Sequence, residues 1–278
     1  MPRARNGQVE LEYETFGDAT APTVLLINGL GSQMTRWPAD FCTKLAARGF
    51  RPIRFDNRDV GLSTRCTDAE KYRLADMARD GMAVLDAAGA ATAHIVGVSL
   101  GGMVAQRVAI DFPDRTLSLT SIMSTTGEPG KHLSTPEAIE IRMAPDPDPM
   151  ADYEAFIAHG MKRARVNGSP GYPWEESELR ERTVAEHRRA YNPAGVVRQR
   201  KAATRDGDRT AELRRLSVPC IVLHGTDDPL VMPVGGEATA AAIPGAELRM
   251  IPGMGHDLPP GLHAVFLDAI CAAATKAR

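Results

Sequence analysis

The sequence contains no run of about 18 apolar residues, so no segment is suited to span a bilayer as a helix. Net charge is nearly absent: 33 lysines and arginines against 35 aspartates and glutamates leave −2 over 278 residues. That balance supplies no basic field for nucleic acid or for an anionic membrane surface. Cysteine is scarce as well. Cys42, Cys66, Cys220 and Cys271 are widely scattered, with no C-x-x-C pair and no histidine cluster beside them. This argues against a zinc site or a disulfide framework and for reduced packing residues in a cytoplasmic protein. Met1-Pro2-Arg3-Ala4-Arg5-Asn6 lacks the apolar stretch of a secretory signal. What the chain does have is core material. With 43% hydrophobic residues it suits one α/β domain carrying an insertion better than two independent domains.

Strand-like and helix-like segments alternate. Val9–Phe16 alternates apolar and polar residues, as an edge strand would, whereas Thr23–Asn28 is apolar throughout, as a strand buried on both faces would be. Pro38–Arg48 predicts a helix ended by Gly49, Arg51–Asp56 a strand, Leu74–Ala88 a helix and Ala93–Val96 a strand. Gly102–Asp111 reads as a helix, Leu117–Met123, Cys220–His224 and Glu247–Ile251 as strands, and Leu262–Ala274 as a closing helix. Such a succession predicts an open, mostly parallel sheet wrapped by helices, with ligands beyond the carboxyl ends of its strands. One stretch breaks the rhythm. Between about Thr126 and Arg215 no strong strand occurs, and Pro145, Pro147 and Pro149 cannot lie inside a helix. Met150–Ala164, with Tyr153, Ile157, Met161 and Ala164 at helical spacing, and Ser177–Ala190 predict amphipathic helices. The expected division is a core over residues 1–126 and 216–278 and a helical cap over 127–215.

Gly97-Val98-Ser99-Leu100-Gly101 is the most informative pentapeptide. G-x-S-x-G between a strand and a helix forms a sharp turn that exposes the serine hydroxyl beside a helix N-terminus. A serine becomes a nucleophile when a base takes its proton and an acid orients that base. The chain order Ser, Asp, His is met by Ser99, by the Asp227-Asp228-Pro229 turn after one strand, and by His256 after the last strand. Two aspartates compete as the acid. Asp228 is favoured because Pro229 stiffens the turn after it, leaving Asp227 to bond the loop backbone. His94 opens a strand, His224 ends one, His132, His159 and His187 lie in the insertion, and His263 in the last helix. The backbone N–H groups of Leu30 and Leu100 are the expected oxyanion donors. Met34 and Trp37, together with Tyr153, Ile157 and Met161, are the expected pocket lining, with core packing as the alternative for the first two. Arg188, Arg189, Arg198, Arg200, Lys201 and Arg205 form a basic run that reads as a solvated cap face.

Asn28-Gly29-Leu30-Gly31 resembles a His-Gly-x-Gly oxyanion loop with asparagine in first place. Asp56-Asn57-Arg58-Asp59-Val60-Gly61-Leu62-Ser63 matches an Asp-x-Arg-x-x-Gly-x-Ser scaffold loop, and Ile251-Pro252-Gly253-Met254-Gly255-His256 a catalytic histidine loop. On these motifs the chain resembles the serine esterases of the α/β-hydrolase superfamily over nearly its full length. Arg58-Asp59-Val60-Gly61, Ile251–His256 and Leu258-Pro259 bring it nearest to the aclacinomycin methylesterase-like hydrolases. The resemblance implies a mostly parallel sheet of about eight strands flanked by helices, with a helical cap. It also implies a carboxylesterase that needs no cofactor and no metal and acts on small to medium apolar esters. Its expected partner is a small-molecule ester, with no nucleic acid and no membrane span. Carbon–carbon bond hydrolases, lactonases and perhydrolase-type haloperoxidases share the triad, and a non-catalytic receptor can retain it, so all stay open at this point.

Overall fold

Strand β3 (Thr23–Ile27) is apolar without interruption from Val24 to Ile27 because it runs through the middle of the sheet with every residue buried. It pairs in parallel with β4 (Arg51–Phe55) on one side and β5 (Ala93–Val98) on the other. Alternate residues feed opposite layers. Leu25 and Ile27 pack with helices α2 (Leu74–Ala87) and α3 (Leu100–Asp111), while Val24 and Leu26 pack with α1 (Ala39–Ala47) and α10 (His263–Thr275). Burial of each such side chain contributes about 1.5–3 kcal/mol.

The computed structural model describes residues 2–131 and 133–277. Besides the strands above it contains β1 (Arg3–Asn6), β2 (Val9–Thr15), β6 (Thr116–Ile122), β7 (Cys220–Gly225) and β8 (Glu247–Ile251). The eight form one sheet in the order β1-β2-β4-β3-β5-β6-β7-β8. The two pairings that involve β2 are antiparallel and the rest parallel. Val9–Thr15 is thus the second strand and not the edge. The edge is β1, whose sequence Arg-Ala-Arg-Asn carries no apolar alternation and is held by Arg3 bonding Glu10 at 3.0 Å and Glu12 at 3.1 Å across the register.

Between β6 and β7 lie α4 (Pro136–Met143), α5 (Tyr153–Asn167), α6 (Glu176–Arg189), α7 (Pro193–Asp206) and α8 (Thr210–Leu213). The Pro145–Pro149 stretch separates α4 from α5, as proline requires. Helices α4 and α7 are polar, but each starts on a cap followed by proline: Thr135 before Pro136 and Asn192 before Pro193. After β7 comes α9 (Val234–Ala242), a helix that the sequence pattern did not predict and that carries Gly235-Gly236 in its first turn. A Cβ on Gly236 would sit 2.5 Å from the His224 ring, so the helix approaches β7 closely only with glycine there. His132, assigned to the insertion by sequence, lies outside the described residues. All four cysteines are free, and among the described residues no helix is long and apolar enough to cross a membrane.

Candidate active site

Ser99 stands alone between β5 and α3, at φ 56° and ψ −121°. A non-glycine residue there costs about 1–3 kcal/mol and persists only where its surroundings over-determine it. Here they do. The Ser99 N–H donates to the Ile122 carbonyl at 2.9 Å, and the Ser124 hydroxyl donates to the Ser99 carbonyl at 2.8 Å. A Cβ on Gly97 would lie 2.0 Å from the Gly101 carbonyl oxygen, and one on Gly101 2.3 Å from that of Ile27. The glycines of G-x-S-x-G are therefore demanded by backbone contact.

His256 Nε2 lies 2.8 Å from Ser99 Oγ, and His256 Nδ1 lies 2.7 Å from Asp228 Oδ2. An ionised carboxylate only accepts, so the Nδ1 proton belongs to that contact and Nε2 is left to accept from the serine hydroxyl. The other oxygen of Asp228 accepts from the Leu230 N–H at 2.9 Å and the Val231 N–H at 2.8 Å. Burial works to raise the Asp228 carboxyl. The charge of His256 and hydrogen bonds from His224 and His256 outweigh it, holding the group well below the usual carboxylate range. Asp227 is exposed and accepts from the Gly253 N–H at 3.0 Å, tying two loops together away from the imidazole.

The loop that carries His256 rests on the insertion. Its N–H donates to the Asn167 carbonyl at 2.6 Å, and the Gly255 N–H donates to Ser169 Oγ at 2.9 Å. Asp257, the next residue, accepts from Ser169 Oγ at 2.5 Å and from Trp174 Nε1 at 2.8 Å. On the opposite side of Ser99 stands the Asn28–Gly31 loop. Asn28 is buried, donates to the Phe55 carbonyl at 3.3 Å, and accepts at its own carbonyl from Asn57 at 3.1 Å. Among the described residues neither the Leu30 nor the Leu100 N–H has a protein acceptor, and Leu100 opens helix α3.

A cavity of about 550 Å³ joins Ser99, His256, Gly29 and Leu30 to the insertion. The sequence identified the right helix but the wrong face of it. Helix α5 presents Phe156, Gly160, Arg163, Ala164 and Asn167 to the cavity, whereas Ile157 and Met161 pack with Phe156 and Leu179 in the insertion's own small core, and Tyr153 flanks it. The apolar stripe is consumed by packing α5 on α6. Met34 and Trp37 are also not lining residues. Met34 is buried with its N–H on Asp56 at 2.7 Å, and Trp37 is buried in the core against Phe41, with the ring centroids 5.3 Å apart.

The basic run is not a solvated face throughout. Arg189 pairs with Asp56 at 2.7 Å, and Arg198 bonds Asp59 through two nitrogens at 2.7 and 2.9 Å. Both acids belong to the Asp56–Ser63 loop and are fully buried. Arg188, Arg200 and Lys201 are the members that do face solvent. Two further residues of the site carried no sequence signal. His224 is wholly buried behind Asp228, and Arg182 projects from α6 into the cavity.

Strand order, the strained serine turn and the Ser–His–Asp contacts together define a class. The chain belongs to the alpha/beta hydrolase fold family, which matches residues 22–259. It is 30% identical over 285 residues to the rhodomycin D methylesterase of Streptomyces peucetius, covering 96% of this chain and 95% of that protein. A rhodomycin D methylesterase of a second Streptomyces is 31% identical over 283 residues, covering 95% of each chain. Among solved structures, a hydrolase from Pseudomonas aeruginosa is similar with a TM-score of 0.75 at 27% identity, covering 97% of this chain and 96% of its own.

Proposed function

We propose that the protein is a carboxylic-ester hydrolase that works through an acyl-enzyme on Ser99. The observation that carries this reading is the unbroken contact from Ser99 Oγ through His256 to Asp228, at 2.8 and 2.7 Å. The likeness to two methylesterases supports the ester as the bond cleaved. His256 takes the hydroxyl proton as Ser99 attacks the ester carbonyl. The imidazolium that results is stabilised by Asp228, which stays ionised. The N–H groups of Leu30 and Leu100 receive the oxyanion, a contribution in which one donor is worth about a hundredfold to a thousandfold in rate. His256 then returns its proton to the departing alcohol, and a water activated by the same nitrogen releases the acid. Residues 127–215 act as a cap over a core formed by 1–126 and 216–278, and the cavity suits small to medium esters that are apolar around the scissile bond. The protein is a soluble enzyme of the cytoplasm in this reading.

Hydrolysis of p-nitrophenyl acetate by the purified protein tests the proposal. The wild type gives a burst of p-nitrophenol equal to the enzyme present. Ser99→Ala keeps its melting midpoint and falls to background. Residual turnover above about a hundredth of normal in that variant would remove Ser99 as the nucleophile.

A further inference from the structure

Among the described residues, Arg182 in the cavity wall makes no ion pair of its own, and the two acids that act on it, Glu186 and Asp257, are bonded to other groups. The Arg182 guanidinium stacks on the Trp174 ring at 4.2 Å, and its buried Nε has no hydrogen-bond partner. Stacking satisfies only the face of the group. The N–H donors radiate in its plane, where they match an oxyanion two at a time. Burial, and then the neighbouring charge of Arg36, press the guanidinium down to about 10 against the opposing pull of Glu186 and Asp257, so it is held in a setting that wants more negative charge.

Among the described residues each acid of the cavity is already engaged with another group, including the two that act on Arg182. Glu186 accepts from Arg36 at 2.9 Å, Asp146 from Arg163 at 3.0 Å, and Asp59 from Arg198 at 2.7 Å. Asp257 is occupied by Ser169 and Trp174, and burial pushes its carboxyl upward, away from the charged form. At the rim, Arg142 and Arg200 are exposed and add positive potential that draws anions inward.

We propose that Arg182 is the specificity-determining residue of an anion subsite, and that the substrate is an ester bearing a carboxylate apart from the bond that is cleaved. The inference rests on the esterase reading above and narrows it. Arg36 and Arg182 share the charge of Glu186, the excess positive charge matches a monoanion, and the guanidinium fork matches a carboxylate in two parallel hydrogen bonds.

The test compares monomethyl succinate, adipate and suberate with their dimethyl esters. The wild type favours at least one monomethyl ester in kcat/KM over its neutral counterpart. Arg182→Met lowers that preference by about thirtyfold or more, the loss expected when one partner of a desolvated charge pair is truncated. Arg182→Lys keeps part of it, since the charge remains while the fork is lost. Equal rates on charged and neutral esters in the wild type overturn the subsite, as does an unchanged ratio in Arg182→Met. Calorimetric titration of adipate into Ser99→Ala, with and without Arg182→Met, separates the two ideas and does not need turnover. If no ester is cleaved yet adipate binds only where Arg182 is present, the esterase reading fails and the subsite stands. If esters are cleaved and adipate binding ignores Arg182, the reverse holds. Should Arg182→Met not fold, adipate inhibition of wild-type dimethyl adipate hydrolysis decides: inhibition that adipamide cannot reproduce supports the subsite, and no difference between the two overturns it.

Discussion

His224 Nε2 donates to the Val231 carbonyl at 2.6 Å and lies 3.4 Å from Asp228 Oδ2. The Val231 N–H in turn donates to Asp228 Oδ1. A buried histidine at the end of β7 thus pins the loop that carries the acid and sits behind the carboxylate from which His256 takes its orientation.

Removing that pin should weaken turnover more than binding. His224→Leu is expected to lower kcat by about twofold to tenfold, the kinetic equivalent of a neutral hydrogen bond of about 0.5–1.5 kcal/mol. KM should stay close to normal, and His224→Gln, which retains a donor, should recover part of kcat. Steady-state kinetics on an activated ester, with melting curves for each variant, makes the comparison. A matching fall in both variants would deny His224 a positioning role.

The two neighbouring aspartates separate cleanly by geometry. Asp228→Asn should reduce kcat by several orders of magnitude, about ten-thousandfold in systems where the imidazole is left in the wrong tautomer. Asp227→Asn, which loses only an exposed loop contact, should be mild. The sign of the pH effect follows from the depressed Asp228 carboxyl. Its contribution to stability is fully present above the unfolded value near 4 and is lost as pH falls through the lower folded value. Urea unfolding of wild type and Asp228→Asn across pH 3–7 should show an advantage for wild type that is constant at the upper end and shrinks below about pH 4. An acid limb of activity above that range does not come from this carboxyl.

Helix α5 has one face packed on α6 and one facing the cavity. Ile157→Ala should cost about 2–5 kcal/mol in the melting of the protein and leave the ratio of rates on short and bulky esters unchanged. Phe156→Ala should alter that ratio, because its ring is part of the cavity wall. An ester panel run on both variants resolves the faces. Equal ratios throughout would mean that α5 does not shape the cavity.

Ion pairs between the insertion and the Asp56–Ser63 loop should be strongly felt. Arg198→Met leaves Asp59 buried without its counter-charge, a change worth about 3–5 kcal/mol. Asp59→Asn in the same chain should recover much of the loss, and a double-mutant cycle measured by denaturant unfolding gives the coupling. Independent, additive losses would contradict the pairing.

The parallel core was legible because burial on both faces writes unbroken apolar runs such as Val24–Ile27, and the serine turn because only glycine fits at Gly97 and Gly101. The edge strand Arg3–Asn6 was not, since cross-strand charge pairs leave no apolar period. Helix α9 hid behind Gly235-Gly236, which serve a close contact with His224 at the expense of helix propensity. The cavity face of α5 was misread for a related reason. Hydrophobic periodicity reports which side of a helix is packed, and in α5 the packed side meets α6. The place of Arg182 in the cavity wall leaves no trace in sequence at all, because which groups surround a cation is a property of three-dimensional neighbours.

The contacts from Asn167 and Ser169 to Gly255 and His256, and from Trp174 to Asp257, carry a consequence for exchange of parts between relatives. A Cβ on Gly255 would lie 2.2 Å from the Gly168 carbonyl oxygen, so the two strands of chain are fitted to each other at backbone distance. A transplanted insertion would arrive with a foreign support for the imidazole. A chimera therefore has its natural crossover not at the boundaries of the insertion alone but in a matched pair of segments, 167–174 and 253–257, that must travel together for the proton-transfer geometry to survive.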